Sequence, residues 1–221
     1  MEPVKRVEFD RRIKLPVHAL FVGASMSGKT RLVLHILSRP ELLDPQPKTV
    51  IFYYDQLQKC YLEVKSLLGT KGISMHLRRG HDVNLDDLPH NDHQTIVLID
   101  DASEETAASK EIARIATNGR HKNISLWLIW HSLYSKHAPS RIISQNTGLF
   151  FFLPSLRLES QLRTLGCQLG MKGRLVEAYH RCVEDEPTAE HRYLLLDLCP
   201  GTPALLRLRT NIHLPVQHCF Q

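Results

Sequence analysis

No stretch of this 221-residue chain approaches the ~20 consecutive apolar residues that span a bilayer. Its opening residues, Met-Glu-Pro-Val-Lys-Arg-Val-Glu, carry charges where a secretory leader needs an apolar region. Both observations argue against a membrane or exported protein and lead us to expect a soluble, intracellular one. Cysteine supplies no scaffold either. Cys60, Cys167, Cys182, Cys199 and Cys219 are odd in number, widely spaced and without a C-x-x-C pair, which argues against a disulfide framework and a zinc site. There is no internal repeat, no low-complexity tract and no linker long enough to divide the chain, so solenoid, disordered and two-domain readings fall away.

What is present describes a packed globular domain. Hydrophobic residues make up 43% of the chain. The formal net charge of +5, before any of the 13 histidines is protonated, suits a nucleic-acid partner without requiring one. Apolar runs at 19–22, 49–54, 95–99, 124–130 and 149–153 read as buried strands, with a weaker one at 73–77. Helical spacing is read over 28–38, 56–68, 104–117, 155–169 and 173–182, with Ser103 as the cap of the third. Strands at 193–198 and 205–210, joined by Pro-Gly-Thr-Pro, read as an antiparallel hairpin at one edge of the sheet. Continuous apolar strands alternating with helices imply an α/β fold with a mostly parallel sheet covered on both faces. We expect one domain over 1–221, with a core at about 14–154 followed by helices and the hairpin at about 155–212.

The first chemical motif is Gly23-Ala24-Ser25-Met26-Ser27-Gly28-Lys29-Thr30, a full match to G-x-x-x-x-G-K-[ST] placed between a strand and a helix. Glycines let the backbone wrap phosphate oxygens without a Cβ clash, and backbone N–H groups with the helix N-terminus bind the anion. Lys29 would reach the β- and γ-phosphates, and the Thr30 hydroxyl would ligate Mg²⁺. The second is Thr95-Ile96-Val97-Leu98-Ile99-Asp100-Asp101, a buried strand ending in two carboxylates. It has the form of a Walker B element, whose strand is expected beside the P-loop strand. Asp100 would hold Mg²⁺ through its water shell, and Asp101 would orient and polarise the attacking water. Solvated acids at a strand end are the plainer reading, but their place seventy residues after the loop favours the functional one. The third is the exit of the next strand, Trp130-His131-Ser132, where a polar side chain can sense the γ-phosphate. Arg120, Arg141 and Arg157 are candidates for a transition-state arginine. His81, His90 and His93, among Asp82, Asp86, Asp87 and Asp92, read as a solvated loop rather than a metal site.

These stretches together resemble the genome-packaging ATPases of the FtsK–HerA superfamily, and most of all the poxvirus-type enzymes of Polinton/Maverick elements and adintovirus-like viruses. Besides the two nucleotide motifs, the likeness rests on Gly119-Arg120-His121-Lys122-Asn123-Ile124-Ser125, on Arg141-Ile142-Ile143-Ser144-Gln145-Asn146, and on Tyr193-Leu194-Leu195-Leu196-Asp197-Leu198 with Leu206-Arg207-Leu208-Arg209-Thr210-Asn211-Ile212. It covers about 14–212. It implies a P-loop NTPase of the RecA/ASCE type, and an ATP- and Mg²⁺-dependent motor that forms a homo-oligomeric ring. Such a motor threads double-stranded DNA into a capsid and works with a capsid or portal protein, in the host nucleus or cytoplasm during virus assembly. It implies Lys29, Thr30 and Asp100 at nucleotide and Mg²⁺, Asp101 as the water-activating acid, and Arg141 as an arginine acting on a neighbouring subunit. Two positions depart from the family. His131 stands where a Thr/Ser-Gln-Asn run has its sensor glutamine, and Leu153-Pro154-Ser155-Leu156-Arg157 stands where Asn-Pro-Arg-Asp is usual. A nucleotide-binding protein with weak or lost turnover, and a small-molecule kinase, are the alternative functions.

Overall fold

The structure, a computed structural model, describes residues 10–89, 92–102, 104–184, 191–213 and 217–220. In chain order its elements are β1 (Ile13–Lys14), β2 (Ala19–Val22), α1 (Lys29–Leu37), β3 (Leu43–Asp44), β4 (Thr49–Tyr54), α2 (Lys59–Thr70), β5 (Ser74–Arg79), β6 (Thr95–Ile99), α3 (Glu104–Ala108), α4 (Lys110–Asn118), β7 (Ile124–Trp130), α5 (Ala138–Asn146), β8 (Leu149–Phe152), α6 (Leu158–Gln168), α7 (Arg174–Glu184), β9 (Leu194–Asp197), β10 (Leu208–Thr210) and β11 (His218–Cys219). Among the described residues, nine strands form one sheet in the order β11-β10-β9-β8-β2-β7-β6-β4-β5, and β1 pairs with β3 in a separate parallel ribbon. From β8 to β5 every pairing is parallel; β9, β10 and β11 add antiparallel strands at one side.

The alternation of side chains along each strand divides the interior into two cores. Ala19, Phe21, Val50, Phe52, Ile96, Leu98, Trp127, Ile129 and Phe151 face α1 and α2. Leu20, Val22, Ile51, Val97, Ile99, Leu126, Leu128, Phe150 and Phe152 face buried residues of α4, α5, α6 and α7. Both faces are therefore dry, which is why the strands read as unbroken apolar runs rather than alternating ones. Phe21 and Phe151 stack across β2 and β8 at 4.4 Å between ring centroids, stiffening the strand that leads into the glycine loop.

Several local expectations are corrected. The strand ending in Asp100-Asp101 does not run beside the P-loop strand: β7 lies between β2 and β6. Every residue of β7 is buried and all but Ser125 are apolar, which suits it to that inner position, though local pattern alone does not assign it. The helix expected over 104–117 is two helices. Ser109 takes extended backbone and its side chain accepts a hydrogen bond from Ile112 N at 3.2 Å, so a capping residue restarts the helix mid-run. The expected cap Ser103 lies outside the described residues. The strand expected over 205–210 is only Leu208–Thr210, because Pro203 leads into a 3₁₀ turn over Ala204–Leu206. Helix α5, the β1–β3 ribbon and β11 were not anticipated; α5 buries only Ser140 and Ile143, too little for a clear apolar stripe. The 80–93 loop is not wholly solvated, since Val83, Leu85 and Leu88 are buried; His90 lies outside the described residues. None of the five cysteines forms a disulfide. Among the described residues, no helix is long and apolar enough to cross a membrane.

Candidate active site

The site is assembled at the carboxyl ends of β2, β7 and β6, where an open parallel sheet presents its loops. The glycine loop leaves β2 and is tied down on both sides, by Gly23 N donating to Trp130 O at 3.4 Å and Ala24 N donating to Pro154 O at 3.3 Å. A Cβ on Gly23 would lie 2.8 Å from Ser27 Oγ and 2.9 Å from Leu153 Cβ, so only glycine fits that approach. Gly28, the residue before α1, has φ +91°, left-handed backbone that an L side chain resists. The two motif glycines thus serve different ends, one closeness and the other chain direction.

Lys29, the first residue of α1, is only 7% exposed. Its Nζ donates to Gly23 O at 3.0 Å and Ala24 O at 2.7 Å, and lies 3.4 Å from His131 Nδ1. Burial lowers its pKa, opposed in part by Asp101 and Asp100. A buried ammonium whose hydrogen-bond partners are two carbonyls and an imidazole, none of them a carboxylate, is one for which a phosphate would supply counter-charge. The Ser27 hydroxyl oxygen, in the same loop, is buried with no hydrogen-bond partner. Beside the loop runs a cleft of about 400 Å³, walled by Leu153, Pro154, Arg31, His191 and Arg192. Ser25, Met26 and Ala24 line it too, and Met26 stands fully in solvent at the loop tip. Larger cavities of about 560 and 570 Å³ lie elsewhere and contain none of the motif residues. The orphaned Ser27 hydroxyl, the buried lysine without a hydrogen-bonded carboxylate and the loop itself fit a nucleoside triphosphate better than cavity size would suggest.

The acids close the other side. Thr30 Oγ1 donates to Asp100 Oδ1 at 3.0 Å and lies 3.3 Å from Oδ2. Asp100 is 6% exposed. Two hard oxygen ligands converging in a buried place fit Mg²⁺, which takes few protein ligands and keeps its waters. Asp101, by contrast, is exposed. Its φ is +52°, a left-handed conformation that aspartate tolerates better than most residues. The kink lets Ala102 N donate to Ile129 O at 2.9 Å, turning the chain back over β7. His131, the first residue past β7, lies 2.6 Å from Asp101 Oδ1 through Nε2. Lysine only donates, so Nδ1 accepts from Lys29, and the ring proton sits on Nε2 and goes to Asp101. Lys29, His131 and Asp101 form one hydrogen-bonded chain because β7 lies between the other two strands.

The remaining sequence candidates divide. Ser132 Oγ donates to Tyr134 O at 2.9 Å and also lies 3.3 Å from Gln161 Oε1, which accepts from Leu133 N at 2.7 Å, so the β7 exit is tied to α6. Arg141 is exposed on α5 and makes no hydrogen bond to Lys29, Asp100, Asp101 or His131. Arg120 and Arg157 are exposed as well. One participant escaped the sequence. Tyr61, in α2, donates its hydroxyl to Asp100 Oδ2 at 2.6 Å; burial first, then Asp100, raises its phenol, so the proton stays on the donor. Nothing local distinguishes that tyrosine from an ordinary core aromatic of a helix.

No family model matches the chain, and no curated protein matches it. Two solved structures of the genome-packaging NTPase B204 from Sulfolobus turreted icosahedral virus 2, in complex with ATP-gammaS and with AMPPCP, are similar to it. Each has a TM-score of 0.51 and covers 84% of this chain and 94% of that one, at 16% and 15% identity. The fold is that of the P-loop NTPases.

Proposed function

We propose that the chain is an ATP-hydrolysing, DNA-translocating motor of the FtsK–HerA packaging type. The observation that carries the reading is the gathering at three strand ends of two hydrogen-bonded groups, Lys29–His131–Asp101 and Thr30–Asp100. A single domain over 1–221, joined with copies of itself in a ring, would do the work. The poxvirus-type resemblance, the similarity to a viral packaging NTPase and the net charge of +5 support double-stranded DNA as partner, with a capsid or portal protein at the ring's mouth. Such a motor would act in the host nucleus or cytoplasm while virions assemble.

In this reading the residues of 23–30 cradle the phosphates, and Lys29 exchanges carbonyl partners for β- and γ-phosphate oxygens. Thr30 and Asp100 would hold Mg²⁺, which would supply charge neutralisation. Asp101, engaged by His131 through one oxygen, offers the other to a water and takes its proton. The water oxygen bonds to the γ-phosphorus as the bond to the β–γ bridging oxygen breaks, leaving ADP and phosphate. His131, between Lys29 and Asp101, senses whether the γ-phosphate is present. Arg141, exposed on α5, would act on a neighbouring subunit's nucleotide. The test is ATP hydrolysis with and without double-stranded DNA at low salt, alongside oligomer size by light scattering. We expect DNA stimulation and a ring-sized species; a monomer indifferent to DNA contradicts the motor.

A specific observation favours a second reading, a nucleotide binder with weak turnover. His131 stands at the sensor position and already occupies Asp101, the acid that must meet water. His131→Gln would then raise hydrolysis sharply, and an unchanged rate counts against this reading.

A further inference from the structure

Asp100 is held by two hydroxyls of different standing. Thr30 Oγ1 is shared, being itself a candidate cation ligand. Tyr61 is committed to Asp100 alone, donating to Oδ2 at 2.6 Å from a side chain that is 1% exposed. Its ring has no room to swing. It meets Phe52 edge-on at 4.6 Å and lies 5.8 Å from Tyr54, both on β4. Asp100 is fixed to the same strand, since its N–H donates to Tyr53 O at 3.0 Å. The hydroxyl is therefore set in place by α2 and β4, two elements that carry neither the glycine loop nor Asp100 and Asp101.

We propose that Tyr61 is a positioning residue: its hydroxyl holds Oδ2 and aims the Asp100 carboxylate at the cation that accompanies the nucleotide. The proposal rests on reading Thr30 and Asp100 as the metal end of a nucleotide site. A carboxylate held only by Thr30 can turn about its terminal torsion, and hydrogen-bond partners behind a ligating carboxylate typically matter by ~10–100-fold in metal affinity or activity. The geometry also divides the labour. Tyr61 touches neither Lys29 nor the loop through any hydrogen bond, so it bears on the cation and not on phosphate binding.

The test uses the full chain and Tyr61→Phe, which keeps the ring against Phe52 and Tyr54 and removes only the hydroxyl. Mn²⁺ binding is read by electron paramagnetic resonance with a non-hydrolysable ATP analogue present, and analogue binding is read separately in chelator. We expect Mn²⁺ affinity to fall about tenfold in Tyr61→Phe. Analogue affinity in chelator should match the wild type, and turnover should recover at high Mg²⁺. Unchanged Mn²⁺ affinity overturns the proposal, and so does a parallel loss of metal-free analogue binding, which would mark a general structural role. Wild-type protein that holds no Mn²⁺ with the analogue overturns the nucleotide-site reading itself, a result distinguishable from failure of Tyr61's part alone.

Discussion

Lys29 and Asp101 have opposite surroundings, and the roles proposed for them rest on that difference. Lys29 is buried, with a lowered pKa and two carbonyls and an imidazole as hydrogen-bond partners, surroundings that suit the proposed phosphate contact. Asp101 is exposed, kinked into left-handed backbone, and reaches only His131 among the described residues. Asp101→Asn is therefore expected to leave nucleotide binding near the wild-type value while turnover falls by about 10²–10⁴, the usual contribution of a positioned base. Steady-state kinetics beside equilibrium binding separates the two; a matched loss of both contradicts the assignment. At this scale much was legible. The glycine loop, Thr30 and the acid pair are contiguous motifs whose chemistry is local, and the structure brings Thr30, Lys29, Asp100, Asp101 and His131 together. Tyr61 was not legible. It stands 39 residues before Asp100, and only the packing of α2 on β4 makes them neighbours.

At the scale of elements, the strand that enters the site is held at its base by a buried histidine. His18, just ahead of β2, is 1% exposed, and its Nδ1 accepts from Leu126 N on β7 at 2.9 Å. Burial, with Arg120 adding like charge, lowers its pKa from 6.5 to about 4. The unfolded chain therefore binds this proton more readily than the folded one. The stability involved is fully present above pH 6.5 and is lost as pH falls from 6.5 through 4, a difference of about 3 kcal/mol for this group. Urea unfolding at pH 7.5 and pH 5 should show the loss, and His18→Gln should flatten it; equal slopes in both proteins would contradict the assignment. Element type was readable where apolar runs were long, as in β2, β4, β6 and β7. It failed where the deciding contact was weak or remote. Ser109 restarts a helix inside a helical pattern, and α5 buries too few residues to announce itself. Strand order was misread for the same reason: adjacency in a parallel sheet is a tertiary choice, and β7 takes the inner position beside the P-loop strand.

At the scale of the molecule, the sheet brings three loops together at one end, while Arg141 is exposed on α5 and makes no hydrogen bond to Lys29, Asp100, Asp101 or His131. That division suits a subunit that completes its neighbour, the arrangement a ring motor requires. The claim beneath all of this is that the 23–30 loop and the Asp100-Asp101 pair form one hydrolytic centre. Phosphate release from ATP and Mg²⁺ by the wild type and by Lys29→Ala, each with and without double-stranded DNA, tests it most directly. Turnover is expected in the wild type, raised by DNA, and none above background in Lys29→Ala under either condition. Equal release by the two proteins would contradict it.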